Sequence, residues 1–399
     1  MNEKYWIAFS SIAELDSKFI QTLYEYFGDI KLAYNASLEE LSKIEGILKK
    51  KVDIFLKKRE TINIDTTFNE VIKRNIKILT FEDEKYPYML KNIDNPPMVI
   101  YYKGDLFSCN LEKTLAVVGS RRMSYNGKES LKKIISELND TDLCIVSGLA
   151  AGADTAAHRF ALDNNLKTIG VIASGFDFIY PSSNKSLYEE IINGNGAVLT
   201  EYYPTFEPLK FRFPQRNRIV SGLSYGTLVV EAALKSGALI TANLTLEQGR
   251  ELLCIPGLIT NPNTEGIYKL IKTGATIVTE SSDILNALNW TLGVQQTLFD
   301  TENIENIEED DNLTIDEKKI LYTIDIEPKS FDEIQKETNL SVDELLMNLT
   351  TLELKGKLEQ TLGDRYKKRW VLKPKQKKLQ QKQQQKKQVL NRKVIKHLL

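Results

Sequence analysis

Residues Thr114–Glu129 read TLAVVGSRRMSYNGKE. An apolar run, Leu115–Val118, stops at Gly119-Ser120, and Arg121 and Arg122 follow at once. A strand that ends in glycine and leads into a helix places unpaired backbone N–H groups and a helix dipole where an anion can sit. Arginine adds a bidentate fork that matches phosphate. The dinucleotide pattern G-x-G-x-x-G and the nucleotide pattern G-K-[ST] are both missing, so the anion has to be read from the rest of the chain. The competing reading is a pair of surface arginines engaged in salt bridges.

Further runs of the same kind follow: LCIVSG, TIGVIASG, GAVLTEY, GTLVVEA, ELLCIPG and ATIVTE. Each is short and almost wholly apolar, so both faces are expected to be buried. They alternate with helical stretches between about Val71 and Leu288. That pattern predicts an α/β fold, a Rossmann-like parallel sheet with helices on both faces. Several runs end in Gly, or in Gly after Ser, at the carboxyl edge where ligands bind in such sheets.

The flanks read differently. SIAELDSKFIQTLYEYF and SLEELSKIEGILKKKVDIFLKKR carry apolar residues at helical spacing, which predicts an N-terminal helical module over 1–68. Its second piece is similar to a helix-hairpin-helix or SAM-like element, but Leu48 stands where that turn has its second glycine. A small residue there lets the backbone approach a phosphate, so the module reads as a packing element. The central domain is placed at 69–290 and an acidic linker at 291–312, with DTENIENIEEDDN at its end. Residues 313–373 read helix, helix, turn, helix, two strands, the order of a winged helix. Ser341 and Glu344 form the capping-box pattern of its third helix. The tail, 374–399, is rich in Lys and Gln and holds no acid.

Bulk properties exclude several chemistries. The 399 residues carry a net charge of −1, three cysteines and two histidines. Cys109, Cys144 and Cys254 form no C-x-x-C, and no cluster of metal ligands or cofactor motif is visible, so no metal and no cofactor are expected. No apolar run nears the roughly 20 residues that span a bilayer, and the N-terminus has no signal-peptide core, so a cytoplasmic protein is expected. An activated nucleophile is also missing: there is no G-x-S-x-G and no recognisable carboxylate pair. His158, four residues after Asp154, reads as a hydrogen-bonded packing residue and Asp154 as the anchor of its turn. Glu231 reads as a helix-start carboxylate favoured by the dipole.

The residues that stand out bind anions and rings. SGLAAGADTAAH, Ser147–His158, offers Ser147, Gly148 and Gly152 at a second helix start beside the first. Lys185 follows YPSSN near a third. The segment TEYYPTFEPLKFRFPQRNRIVSGLS interleaves Lys210, Arg212, Arg216 and Arg218 with Phe206, Phe211 and Phe213, and Asn217 lies in the same run. Cations track a phosphate chain while aromatic faces stack bases, the combination used for single strands. The competing reading is a basic loop that packs its own phenylalanines. Lys235 follows, ahead of Ser236, Gly237 and Thr241, as a candidate for a further phosphate contact in the next helical stretch.

VVGSRR, IVSGLAAGADTAAH, YPSSN, TEYYP, FPQRNRIVSGLS, VVEAALKSGALITA, GRELLCIPG and NPNTEGIYKLIKTGA, in this order across Pro87–Thr279, resemble the DprA/Smf family of DNA-processing proteins. The resemblance implies a cytoplasmic, non-enzymatic homodimer that binds incoming single-stranded DNA in natural transformation. It implies protection of that strand and loading of the RecA recombinase as single-strand-binding protein is displaced. The family's pocket maps onto Arg122, Lys210, Phe213, Arg216 and Lys235, with Gly119, Ser120, Ser147, Gly148 and Gly152 at its mouth. Asp343, Glu344 and Glu353 on the winged-helix recognition helix repel phosphate, which implies protein contact or dimer regulation there in place of groove reading. The alternative function is a nucleotide enzyme of the LOG type, nucleoside-monophosphate phosphoribohydrolases whose G-G-x-G-T-x-x-E is partly echoed by Gly226, Thr227 and Glu231.

Overall fold

The computed structural model describes residues 2–139, 141–194, 196–290, 313–324, 329–338, 340–361 and 365–368. The acidic linker and the Lys/Gln-rich tail lie outside the described residues. The chain divides into two units, Met1–Gln295 and Gln296–Leu399.

The first unit opens with helices α1 (Glu3–Ser10), α2 (Ser17–Phe27), α3 (Ile30–Asn35), α4 (Leu38–Leu41), α5 (Lys49–Arg59) and α6 (Ile64–Lys73). Asp16, Asp29 and Asn63 accept hydrogen bonds from backbone N–H groups at three of the helix starts, and Ser37 with Glu40 forms a capping box at another. Trp6, Phe9, Phe19 and Phe55 are buried, with the Phe9 and Phe55 rings stacked at 4.8 Å. This aromatic core continues into Tyr101, Leu187 and Val198 of the domain that follows. The helical module therefore shares a core with the sheet and belongs to the same compact unit.

That sheet is built from β1 (Lys77–Thr80), β2 (Val99–Gly104), β3 (Thr114–Val118), β4 (Cys144–Ser147), β5 (Lys167–Val171), β6 (Gly196–Thr200), β7 (Gly226–Val229), β8 (Glu251–Cys254) and β9 (Thr276–Ile277). Between the strands come α7 (Tyr88–Lys91), α8 (Tyr125–Ser136), α9 (Ala153–Asp163), α10 (Lys185–Asn193), α11 (Arg212–Gly222), α12 (Gly237–Glu247) and α13 (Glu265–Lys272), and α14 (Ser281–Ala287) follows. The nine strands are ordered β1-β2-β6-β5-β4-β3-β7-β8-β9. All seven apolar runs noted in the sequence became strands, and their ladders are parallel; β1 and β2 extend the sheet antiparallel.

Each of the central strands is buried on both faces. On β3, Leu115 and Val117 enter one core while Ala116 and Val118 enter the other, as the two-residue strand period requires. The chain lays β3, β4, β5 and β6 outward in one direction. It then returns through α11 to place β7 on the other side of β3. Strand order thus reverses between β3 and β7, and a crevice is expected at their carboxyl ends.

The second unit contains α15 (Ile315–Thr323), α16 (Phe331–Thr338) and α17 (Val342–Leu354), with strands β10 (Lys329–Ser330), β11 (Leu358–Thr361) and β12 (Arg365–Lys368) in the antiparallel order β10-β12-β11. It is a winged helix. The expected Ser341–Glu344 capping box is present. Ile320, Ile334, Leu345, Leu349 and Leu352 form its core. The sequence suggested two strands; the third, β10, pairs only Lys329 and Ser330 with β12, too short a run to show an alternating pattern.

Candidate nucleic-acid interface

A cavity of about 470 Å³ opens at the carboxyl edge of the sheet where strand order reverses. Its wall is assembled from five segments. Val118, Gly119 and Arg121 come from the end of β3, and Gly148, Ala150 and Asp154 from the β4–α9 turn. Tyr180 follows β5, and Lys210, Phe213, Pro214, Arg216, Asn217 and Val220 belong to α11 and its approach. Ser236, Gly237, Ala238, Ile240 and Thr241 form the start of α12. A recess of about 60 Å³ adjoins it and shares Arg121, Gly148, Ala150, Tyr180 and Phe213.

Two glycines make this assembly possible. Gly152 has φ +84°, and a Cβ there would stand 2.3 Å from the Ser120 carbonyl oxygen, so only glycine lets the two loops touch. A Cβ on Gly148 would stand 2.5 Å from a guanidinium nitrogen of Arg216 and 2.6 Å from Oδ2 of Asp154. The bare backbone at 148 thus leaves space for both charged groups.

Arg216 is buried beneath the cavity. Its Nη1 donates to the carbonyl oxygens of Gly148, at 2.5 Å, and Val171, while its Nε has no partner. Burial lowers the guanidinium to about 10, opposed chiefly by Asp154. It therefore stays charged at neutral pH. Asp154 Oδ2 accepts the N–H groups of Gly148 at 3.1 Å and Ala150 at 3.3 Å. Burial pushes its carboxyl up, against the pull of Arg216 and of those two N–H groups. The anchoring role read for Asp154 is present, and the residue also faces the cavity. His158 lies behind it, buried, with Nδ1 2.7 Å from the Thr168 hydroxyl. Burial and the nearby Arg216 depress it to about 3, so it is neutral at physiological pH.

At the rim, the Arg121 guanidinium lies 5.6 Å from the Phe213 ring centre, and Tyr180 meets the same ring edge-on at 5.5 Å. Arg121 and Lys210 are exposed. Ser236 caps α12 by accepting the Ala238 N–H, and this helix start lies in the wall.

The sequence candidates divide. Gly119, Arg121, Gly148, Lys210, Phe213, Arg216 and Asn217 share the cavity wall. Ser147 is buried beneath it, its hydroxyl donating to the Val117 carbonyl, and Ser120 and Gly152 build the loop contact. Arg122 stands exposed on the turn beside Arg121 but does not line the cavity; its carbonyl accepts from Asn263. Lys235 and Lys185 are exposed and also lie outside the wall. Arg218 points away, with its guanidinium held bidentately by Glu201 at 2.6 and 2.7 Å and its Nε donating to the Asn95 carbonyl. Arg212 is stacked among Tyr202, Phe206 and Phe211.

Glu231 differs from its reading as a helix-start residue. It lies in the loop after β7 and accepts from the backbone and hydroxyl of Ser124, the N-cap of α8, and from Asn261. The dipole it serves belongs to a helix more than a hundred residues earlier. Tyr180 and Pro214 were not singled out from the sequence; only the chain's return to the sheet edge brings them to the wall.

A family model for DNA recombination-mediator protein A matches residues 77–289, and one for the DprA winged helix domain matches residues 308–364. The chain belongs to the DprA/Smf family. Protein Smf of Synechocystis sp. is 31% identical over 394 residues, covering 92% of this chain and 99% of that protein. DNA processing protein DprA of Streptococcus pneumoniae is 46% identical over 203 residues, 51% of this chain and 71% of the relative. The X-ray structure of that pneumococcal protein superposes with a TM-score of 0.64 at 37% identity, over 72% of this chain and 97% of that one. In this DprA/Smf member, the cationic cavity lies within the segment matched by the first family model. No helix among the described residues is long and apolar enough to cross a membrane.

Proposed function

We propose that this DprA/Smf protein binds single-stranded DNA across the carboxyl edge of its sheet and leaves it chemically unchanged. The observation that carries this reading is the convergence of Arg121, Lys210, Arg216 and Phe213 on one cavity at the point where strand order reverses. Phosphates meet Arg121, Lys210 and the start of α12, and Phe213 offers a ring to a base. Arg122 and Lys235, exposed nearby, extend the positive track along the strand. Arg216 supplies a fixed charge from below the floor.

The same reading places the protein in the cytoplasm as a homodimer. There it protects incoming DNA and delivers it to the RecA recombinase as single-strand-binding protein is displaced. The phosphoribohydrolase alternative needs a free carboxylate at the nucleotide. Glu231 is the candidate, and it is occupied by Ser124 and Asn261 and lies outside the cavity wall.

The test is competition between single- and double-stranded oligonucleotides at several salt concentrations, with wild type, R121A and K210A. Single strands should win, and each variant should bind every sequence more weakly with a flatter salt dependence. Unchanged binding in both variants overturns the site. Release of free base from AMP by the purified protein overturns the non-enzymatic reading.

A further inference from the structure

Among the residues lining the cavity there is one carboxylate, Asp154, facing the same space as Arg121, Lys210 and Arg216. It is 8% exposed and sits in the first turn of α9. A negative group in a site for a polyanion opposes the ligand, so its presence calls for a physical reason.

Its local task does not need the charge. Both backbone N–H bonds, from Gly148 and Ala150, end on a single oxygen, Oδ2. The carbonyl oxygen of an asparagine can accept the same two bonds while its amide takes the place of the other oxygen. The hydrogen bonds that fix the Arg216 Nη1 come from the carbonyls of Gly148 and Val171, and the carboxylate acts on the guanidinium through charge alone, helping to keep it protonated against burial. What the carboxylate alone supplies is negative charge close to the Arg216 guanidinium, in a wall where burial makes charges interact more strongly than in water.

We propose that Asp154 is an affinity-limiting residue: its carboxylate offsets the buried charge of Arg216, so the cavity holds a phosphate chain less tightly than its cations alone would. This inference rests on the single-strand reading above. It gives the site a built-in means of release, suited to a protein that must pass its strand on. A positioning role for Asp154 in the β4–α9 turn predicts the opposite sign, because loss of that role can only loosen the site.

The experiment compares the full-length wild type with D154N in binding a fluorescent oligo-dT across a salt series, alongside thermal melts. D154N should bind on the order of tenfold more tightly at low salt, with the gain shrinking as salt rises. Equal or weaker binding by a variant with an unchanged melting temperature overturns the inference. Should D154N melt early, its binding is read at a temperature well below its own transition, where the variant is folded; equal or weaker binding there overturns the inference. If wild type itself fails to bind oligo-dT, the single-strand reading falls and takes this inference with it. If wild type binds and D154N gains nothing, the inference alone falls.

Discussion

Arg216 and Arg218 are two residues apart on α11, both largely withdrawn from solvent, and they do opposite work. Arg216 faces the cavity floor, held by backbone carbonyls and left with an unpartnered Nε. Arg218 faces away from the cavity, where Glu201 matches it fork to fork and also accepts from Ser17 of α2. Two residues on an α-helix are about 200° apart around the axis, so one side of α11 serves the ligand and the other ties the helix to the N-terminal module. The lesson is that a run of cations does not define a binding surface. The acceptors already present in the fold decide which charges remain for a ligand.

Removing Arg218 is the strongest test of that division. The Arg218 and Glu201 side chains are 12% and 11% exposed. R218A leaves the Glu201 carboxylate largely buried without its bidentate partner, at a cost of about 3–5 kcal/mol. The expected result is a clear fall in urea midpoint, with the DNA affinity of the remaining folded protein unchanged. A specific loss of affinity at unchanged stability would move Arg218 onto the DNA side and break the comparison.

The cavity side should behave in reverse. R121A combined with K210A should leave the melting temperature within the small range of surface substitutions and remove most single-strand affinity. Each lost phosphate contact should lower the salt slope by about 0.7, so anisotropy titrations of the double variant should show a decrease of about 1.4. R122A sharpens the point. The resemblance puts the pocket arginine at 122, whereas Arg121 is the one in the wall. A larger loss for R121A than for R122A supports the structural assignment, and the reverse order favours the family one.

Phe213 gives a smaller and different effect. Base stacking on an aromatic ring is worth about 1–3 kcal/mol. F213A should therefore weaken binding without altering the salt slope, because no phosphate contact is lost. F213Y should retain the affinity, and a slope change in F213A would show that Phe213 acts by holding Arg121 instead.

These contrasts mark what was legible in the sequence. The seven strands could be read because their runs are nearly all apolar, a property of the local run alone, although burial on both faces fails at the edge strand β9, where Ile277 is exposed. The cavity loops could be read because glycine and arginine directly follow those strands. Arg212 packs on Tyr202, Phe206 and Phe211 of its own segment, as the competing reading of a basic loop packing its own phenylalanines had it. The fate of Arg218 was hidden, since its partners Glu201 and Asn95 are brought close by the fold. Glu231 was misread for the same reason: Ser124, which it caps against, is 107 residues away. Asp154 was read correctly as an anchor, but its place in the wall depends on Gly148 leaving room, a geometric fact with no signature of its own.

The smallest effect is expected in the winged helix, taken by itself. The exposed side of α17 carries Leu346, Met347 and Leu354, with Met347 72% and Leu354 86% exposed, and Asp343 and Glu353 lie on the same helix. A groove-reading helix presents cations and amides to phosphate and base edges. Apolar and acidic groups in that position gain no phosphate contact and add repulsion. L346A with M347A should therefore leave both single- and double-stranded affinity within about twofold of wild type, as expected for surface changes that touch no ligand. A selective loss of duplex binding in that variant would show that α17 meets DNA through shape and apolar contact despite its charge. The protein would then have a second nucleic-acid surface, and the division of labour seen on α11 would not extend to its C-terminal unit.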